Sequence, residues 1–268
     1  MQFGRTGGPA RPASGRFRPV GALKYDLALT TNNRNRGSIL STARARFIRF
    51  AVDSGILRFG SFRTKAGRMS PYFFNAGLFH DGQMLGKIAG FYADTLSAAE
   101  KEAGLRYDLL FGPAYKGITL ASATAVALAQ RARNVGFAYN RKEAKDHGEG
   151  GKLIGAPLSG RVVIVDDVIS AGTSVRESVE LIRAAGAEPA AVLIALDRQE
   201  RGGTAEAPTD RSAVQEVEAL YGIPVFAIAS LDDVLAFLES EQGGSSGLGA
   251  WRDEVAAYRT RYGAAANG

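Results

Sequence analysis

The segments Val162–Val165 and Ala190–Leu196 are apolar at every position. A strand with one wet face alternates apolar and polar residues, so an unbroken apolar run bounded by turn residues reads as a strand covered on both faces. Amphipathic stretches separate such runs. In the stretch that begins "TSVRESVELIRAAG", Val175, Val179 and Ile182 recur at helical spacing, and Gly186 stands at its end. Strands alternating with helices predict the α/β class, with a central, mainly parallel sheet flanked by helices. Ligands in such folds bind at the carboxyl ends of the strands. Gly112–Gly117, Asp166–Ser174 and Asp197–Arg198 all fall there.

The remaining elements follow from periodicity and turn residues. A helix is expected over 38–55 and a strand–turn–strand over 56–77, with Gly67 at the turn. Helices are expected over 82–104, 118–133, 174–185 and 212–222, another from Asp232, and a terminal one over 250–263. Short strands are expected near 107–112, 161–166, 190–197 and 224–230. The segment 136–155 reads as a strand that gives way to a charged, glycine-rich loop. Residues 1–40, rich in Gly, Pro, Arg and Asn, read as a disordered basic extension.

Charge and composition narrow the chemistry. The net charge of +6 suggests nucleic acid until it is located: residues 1–40 hold seven basic residues and one acid, and the other 228 hold 26 of each. The body has no basic excess, so no nucleic-acid partner is expected. The chain has no cysteine, which excludes disulfides, thiolate zinc sites and a thiol nucleophile and fits a reducing, cytoplasmic setting. With only His80 and His147, a multi-histidine metal site is nearly excluded. No apolar stretch is long enough to span a bilayer, so no membrane association is expected. The extension is Arg-rich and acid-poor like a transit peptide, but its glycines and prolines break the amphipathic helix such a peptide needs.

"VVIVDDVISAGTS", residues 162–174, is the most informative string. A buried strand ends in Asp166 and Asp167, and a turn of small residues leads into a helix. A helix N-terminus offers unpaired N–H groups and partial positive charge to an anion. Gly172 lets the backbone approach closely, and Thr173 and Ser174 add hydroxyls. Carboxylates beside this cradle can accept hydrogen bonds from sugar hydroxyls or hold a divalent cation through water. Together they point to a ribose 5-phosphate. No G-x-G-x-x-G follows a strand and no Walker sequence is present, which argues against dinucleotide and P-loop sites.

The string resembles the 5-phosphoribosyl 1-diphosphate (PRPP) binding motif of type I phosphoribosyltransferases. With "PYFFNAGLF", "LLFGPAYKGI", "NRKEAKDHGEGG" and "LDRQERG", in this order, the chain is similar to bacterial-type orotate phosphoribosyltransferases over roughly residues 42–262. The resemblance implies a type I fold with a small N-terminal hood. The hood spans roughly residues 41–84, the core 85–240 and a C-terminal helix 250–262. It implies transfer of the phosphoribosyl group of PRPP to orotate in pyrimidine synthesis, with Mg2+. It also implies a homodimer with shared sites.

Position by position, the resemblance assigns Asp166 and Asp167 to the ribose hydroxyls. Val168, Ile169 and Ser170 complete that turn, and Ala171, Gly172, Thr173 and Ser174 hold the 5′-phosphate. Tyr115 and Lys116 line the pyrophosphate site. Arg141, Lys142, Lys145 and His147 form a cationic lid, part of it lent by the partner subunit. Lys65 reaches PRPP and orotate, Phe73 and Phe74 form the base pocket, and Ser170 and Arg198 contact the base. Ser170 stands where relatives often carry Thr and keeps the hydroxyl. Lys145, His147, Asp166 and Asp167 are the expected catalytic set. No metal ligand is assigned to the protein directly, Mg2+ being held mainly by PRPP, pyrophosphate and water.

From the residues alone, several of these positions stay open. Phe73 and Phe74 fit plain core as well as a platform for a flat ring. Arg198 fits a surface ion pair as well as a planar fork for a carboxylate. Lys65 near a hairpin turn would ordinarily face solvent, and His80 reads as structural. A ligand-sensing regulator on the same fold would need a DNA-binding appendage, and no helix-turn-helix pattern is present. A purine or uracil phosphoribosyltransferase would lack the lid and the paired phenylalanines. No residues remain for a fused decarboxylase barrel.

Overall fold

The computed structural model describes residues 36–64, 67–145, 151–203 and 207–265. Its elements run α1 (Arg36–Asp53), β1 (Leu57–Arg63), β2 (Met69–Phe74), α2 (Gly82–Glu102), β3 (Leu109–Gly112), α3 (Lys116–Ala129), β4 (Gly136–Lys145), β5 (Gly151–Gly155), β6 (Arg161–Val165), α4 (Thr173–Ala184), β7 (Glu188–Asp197), β8 (Arg201–Gly203), β9 (Pro208–Ser212), α5 (Ala213–Tyr221), β10 (Val225–Ser230), α6 (Leu231–Ser240) and α7 (Arg252–Tyr262).

The central sheet has six strands in the order β10-β7-β6-β3-β4-β5. All neighbours are parallel except the edge pair β4–β5. The two unbroken apolar runs form β6 and β7, in the interior of this sheet, as their composition demands. Period-two alternation divides their side chains between two cores. Leu110, Val163, Val165, Leu193 and Ala195 face α2 and α3, with α1, α6 and α7 in the same cluster. Leu109, Phe111, Val162, Ile164, Val192 and Ile194 face α4 and α5.

The strand order turns at β3–β6. From β3 the chain crosses through α3 to β4 on one side, and from β6 it crosses through α4 to β7 on the other. Because α3 and α4 pack on opposite faces, a crevice opens between their N-termini at the carboxyl ends of β3 and β6, the place where such sheets take ligands.

Two departures from the sequence reading concern elements. Residues 140–155 do not form one loop: β4 extends through Arg141 and Lys142 to Lys145, and β5 returns from Gly151, pairing antiparallel with it. The alternating charges of 141–145 suit an edge strand exposed to water as well as they suit a loop, so periodicity could not separate the two. The antiparallel ribbon β8–β9 was not anticipated, since neither "RGG" nor "PTDRS" has an apolar period.

Candidate active site

The crevice is walled by two strand-to-helix turns. After β3, the loop Pro113–Tyr115 leads into α3. Gly117 packs so closely that a Cβ there would lie 2.7 Å from the Val165 carbonyl oxygen, so this loop is seated directly on the end of β6. The Ala114–Tyr115 peptide is cis. The Ala114 N–H donates to Asn140 Oδ1 of β4 at 2.8 Å, which ties the loop to the strand carrying the cationic residues. Tyr115 is 68% exposed, and the Lys142 ammonium lies 5.1 Å from its ring centroid. Lys116 opens α3 and places Nζ 2.6 Å from Asp167 Oδ2, a salt bridge across the crevice.

After β6, Asp166 and Asp167 are both buried. Asp166 Oδ1 accepts from the Asp167 N–H, and Oδ2 accepts from Ser174 Oγ, each at 2.9 Å. Its backbone carbonyl accepts from the buried Tyr92 hydroxyl of α2 at 2.8 Å. Burial, reinforced by the charge of Asp167, raises the Asp166 pKa to about 7. The carbonyl of Asp167 accepts from the Ala195 N–H, which fixes the pair against β7.

The turn continues with Val168 half-buried against one core and Ile169 buried in the other. Their side chains are committed to packing, and only their backbone is free to meet a ligand. Ser170, Ala171 and Thr173 are exposed. Gly172 adopts φ 69°, and α4 begins at Thr173 with no side chain capping its first turn. Its leading N–H groups are thus left for an external acceptor, the arrangement that binds phosphate.

On the side of β7, Arg198 is three-quarters buried, its side chain 26% exposed. Nη2 donates to Glu200 Oε1 at 2.7 Å and Nε donates to the Tyr72 hydroxyl at 3.3 Å. The guanidinium carbon lies 5.4 Å from the Tyr72 ring centroid. Tyr72 in turn donates to the same Glu200 oxygen at 2.9 Å. Burial, with Glu200 beside it, pushes the Tyr72 hydroxyl well above its ordinary range, so it stays a donor.

Phe73 and Phe74 sit next to each other on β2, and adjacent strand residues point to opposite faces. The rings part accordingly: Phe73 stacks on Phe62 at 5.4 Å and is 40% exposed, whereas Phe74 leans on Phe47 of α1 at 6.4 Å. Arg68, at the hairpin turn, donates to the carbonyls of Arg201 and Gly202 and so pins the hairpin to β8. Lys65 and His147 lie outside the described residues, as does the side chain of Lys145.

The structure thus brings Lys116, Asp166, Asp167 and the start of α4 to one crevice, with Arg198 following the neighbouring strand. Three contributors escaped the sequence reading: Tyr92, Asn140 and Glu200. Asn140 and Glu200 sit inside quoted motifs, and that position was their only signal. Tyr92 is one more large residue on a helix face that also carries Ile88 and Leu96, and nothing in its spacing betrays a hydroxyl aimed at Asp166.

A mainly parallel sheet whose strand order turns beside a carboxylate pair, with an open helix end behind it, is the frame of the type I phosphoribosyltransferases. The family profile described as the phosphoribosyl transferase domain matches residues 79–220. The crystal structure of orotate phosphoribosyltransferase from Francisella tularensis has a TM-score of 0.69 and 35% identity, covering 82% of this chain and all of that one. The orotate phosphoribosyltransferase of Cupriavidus necator is 70% identical over 217 residues, 81% of this chain and 93% of its own. That of Ralstonia pickettii is 66% identical over 226 residues, 84% of this chain and 98% of its own. The chain belongs to the orotate phosphoribosyltransferase family.

Proposed function

We propose that the β3–β6 crevice carries out the family's reaction, transfer of the 5-phosphoribosyl group from PRPP to orotate, with the following division of labour. The N-terminus of α4, with Ala171 to Ser174, holds the 5′-phosphate. Asp166 and Asp167 take the ribose hydroxyls. Tyr115 and Lys116 face the pyrophosphate, with Arg141, Lys142, Lys145 and His147 closing over it. Lys65, Ser170 and Arg198 receive the base, Arg198 meeting its carboxylate, and because the rings of Phe73 and Phe74 point to opposite faces of β2 only one of the two can pack against it. The observation that carries this reading is the Lys116–Asp167 salt bridge, which sets a cation for the leaving group and a carboxylate for the sugar on opposite lips of one crevice.

In the reaction the bond from C1 of the ribose to pyrophosphate breaks, and its electron pair leaves with pyrophosphate. A ring nitrogen of orotate supplies the pair for the new C1–N bond, and its proton passes to the departing pyrophosphate or to solvent. Positive charge grows on the sugar ring and negative charge on the leaving group. Lysine and arginine fixed beside the leaving oxygens stabilise that change without reorganising, which is where an electrostatic site gains its rate. Lid closure keeps water from the ribosyl carbon.

Among the described residues no three carboxylates or histidines converge. Mg2+ would be held chiefly by PRPP oxygens, with Asp166 and Asp167 within reach through water, the usual pattern for this ion. When bound it would neutralise charge on the departing pyrophosphate.

The homodimer belongs to the same proposal. Between α2 and α3 lies a groove of about 460 Å³ lined by Leu85, Ala89, Ile118, Ala123 and Val126, and Val126 is 58% exposed. An apolar face of this kind, on the helix that starts at Lys116, suits a second copy whose lid enters the site. No helix among the described residues is long and apolar enough to cross a membrane. That and the absence of cysteine support a cytoplasmic enzyme.

The test is loss of orotate absorbance with PRPP and Mg2+, with uracil and hypoxanthine as controls. Orotate alone should be consumed, and excess chelator should stop it. Turnover of either control in place of orotate would overturn the substrate, and full rate in chelator would overturn the metal's role.

A further inference from the structure

We infer that Glu200 is a positioning residue that decides which edge of Arg198 meets the base, and thereby the grip on a carboxylated ring. The inference rests on the assignment of Arg198 to the base carboxylate proposed above.

A guanidinium offers a carboxylate two bidentate seats, one along the Nε–Nη2 side and one at the Nη1–Nη2 end. Here the side seat is filled from within. Glu200 Oε1 accepts from Nη2 at 2.7 Å, and the Tyr72 hydroxyl lies on Nε at 3.3 Å. Among the described residues Nη1 has no hydrogen-bond partner, so the end seat is the one presented.

Glu200 is itself immobilised, its side chain 14% exposed. The oxygen that holds Arg198 also accepts from Tyr72 at 2.9 Å, and Tyr72 is buried on β2 with its ring edge-on to Tyr258 of α7. The backbone of Glu200 bridges Gly263. Next to it, Gln199 exchanges two hydrogen bonds with Asp232, each 2.9 Å. Tyr72 of β2 and Arg198 after β7 therefore meet on one acceptor, and Tyr258 of α7 backs the Tyr72 ring. An arginine has several rotatable bonds, and fixing its fork in advance removes the entropy that orotate would otherwise have to supply on binding.

Both internal bonds end on one oxygen, so Glu200→Gln can keep that acceptor while losing the charge, and Glu200→Leu loses both. Loss of a hydrogen bond to a charged group corresponds to about a tenfold change in affinity. The expected result for Glu200→Leu is a rise of that size in KM for orotate, and for orotidine 5′-monophosphate in the reverse reaction. KM for PRPP and pyrophosphate should stay within about twofold, since those ligands lie off the end seat. Glu200→Gln should recover most of the loss. Tyr72→Phe removes the companion hydroxyl and should raise orotate KM by about threefold; it carries the test alone should Glu200→Leu fail to fold.

Equal changes for orotate and PRPP would reduce Glu200 to scaffold. A Gln variant as impaired as Leu would show that charge, not position, matters. Both results overturn the inference. Arg198→Ala separates it from the reading beneath it. If that variant leaves orotate untouched, both fall. If it weakens orotate selectively while Glu200→Leu and Tyr72→Phe do not, only the role of Glu200 falls.

Discussion

At Asp166 the cost of burying a carboxylate shows as a pKa. The group moves from 3.8 to about 7, through burial first and the Asp167 charge second, against the bonds from the Asp167 N–H and Ser174 that favour ionisation. A folded-state pKa above the unfolded one means that the folded chain holds the proton more tightly. The associated stability is complete below about pH 4 and is lost as pH rises through about 7. Asn at this position keeps Oδ1 for the Asp167 N–H, and the Ser174 hydroxyl can turn to accept from the amide. Asp166→Asn should therefore raise Tm relative to the native chain by more at pH 8 than at pH 5, while abolishing turnover. A smaller gain at pH 8, read by thermal denaturation, would contradict the burial argument. Sequence alone carried the pair this far: a strand of Val and Ile running into two aspartates and a small-residue turn signals a ligand. It could not say which carboxylate is strained. That depends on Lys116, Tyr92 and Ser174 arriving from three helices, and such meetings are settled by packing rather than by neighbours in the chain.

Two glycines at the starts of α3 and α4 serve their turns for different reasons. Gly117 needs the absence of a side chain, because a Cβ would press on the Val165 carbonyl and the Pro113 ring. Gly172 needs its conformation, φ 69°, while a Cβ there would only touch Val217 at an ordinary 3.6 Å. Gly117→Ala should cost about 3 kcal/mol, the range for overpacking where the backbone must shift. Gly172→Ala should cost roughly 1–2 kcal/mol, the price of the left-handed region for an L-residue. Urea unfolding of the two variants should preserve that order; a larger loss at Gly172 would mean that the loop at Gly117 gives way easily. Most helices were legible because their burial repeats with a fixed period, and the interior strands because both faces are covered and their apolar runs are unbroken. The β4–β5 hairpin was not, since residues 140–145 of β4 run past β3 and carry charges in place of an apolar pattern. The β8–β9 ribbon owes its place to Arg68 reaching over from the hood, a contact that local pattern cannot encode.

At the scale of the whole molecule, the proposed dimer makes a quantitative claim. If each lid serves the neighbouring subunit, Asp167→Asn and Lys145→Ala chains are each inactive as homodimers. A mixed dimer puts both lesions in one site and neither in the other. Random pairing makes half the dimers mixed, so co-expression should restore about a quarter of native activity. Verified mixed dimers without recovery would place Lys145 in its own subunit's site. The dimer and its shared lid are implied only by the family resemblance: His147 lies outside the described residues, and a contact between two subunits is a property of a pair of chains that no local pattern encodes.

The bridge from Lys116 to Asp167 has a further consequence. Within the crevice, cation and anion neutralise each other at 2.6 Å. On the proposed assignment, loading would be a metathesis: the diphosphate would take the lysine and the sugar the carboxylate, so that one internal pairing would dissolve as two external ones form.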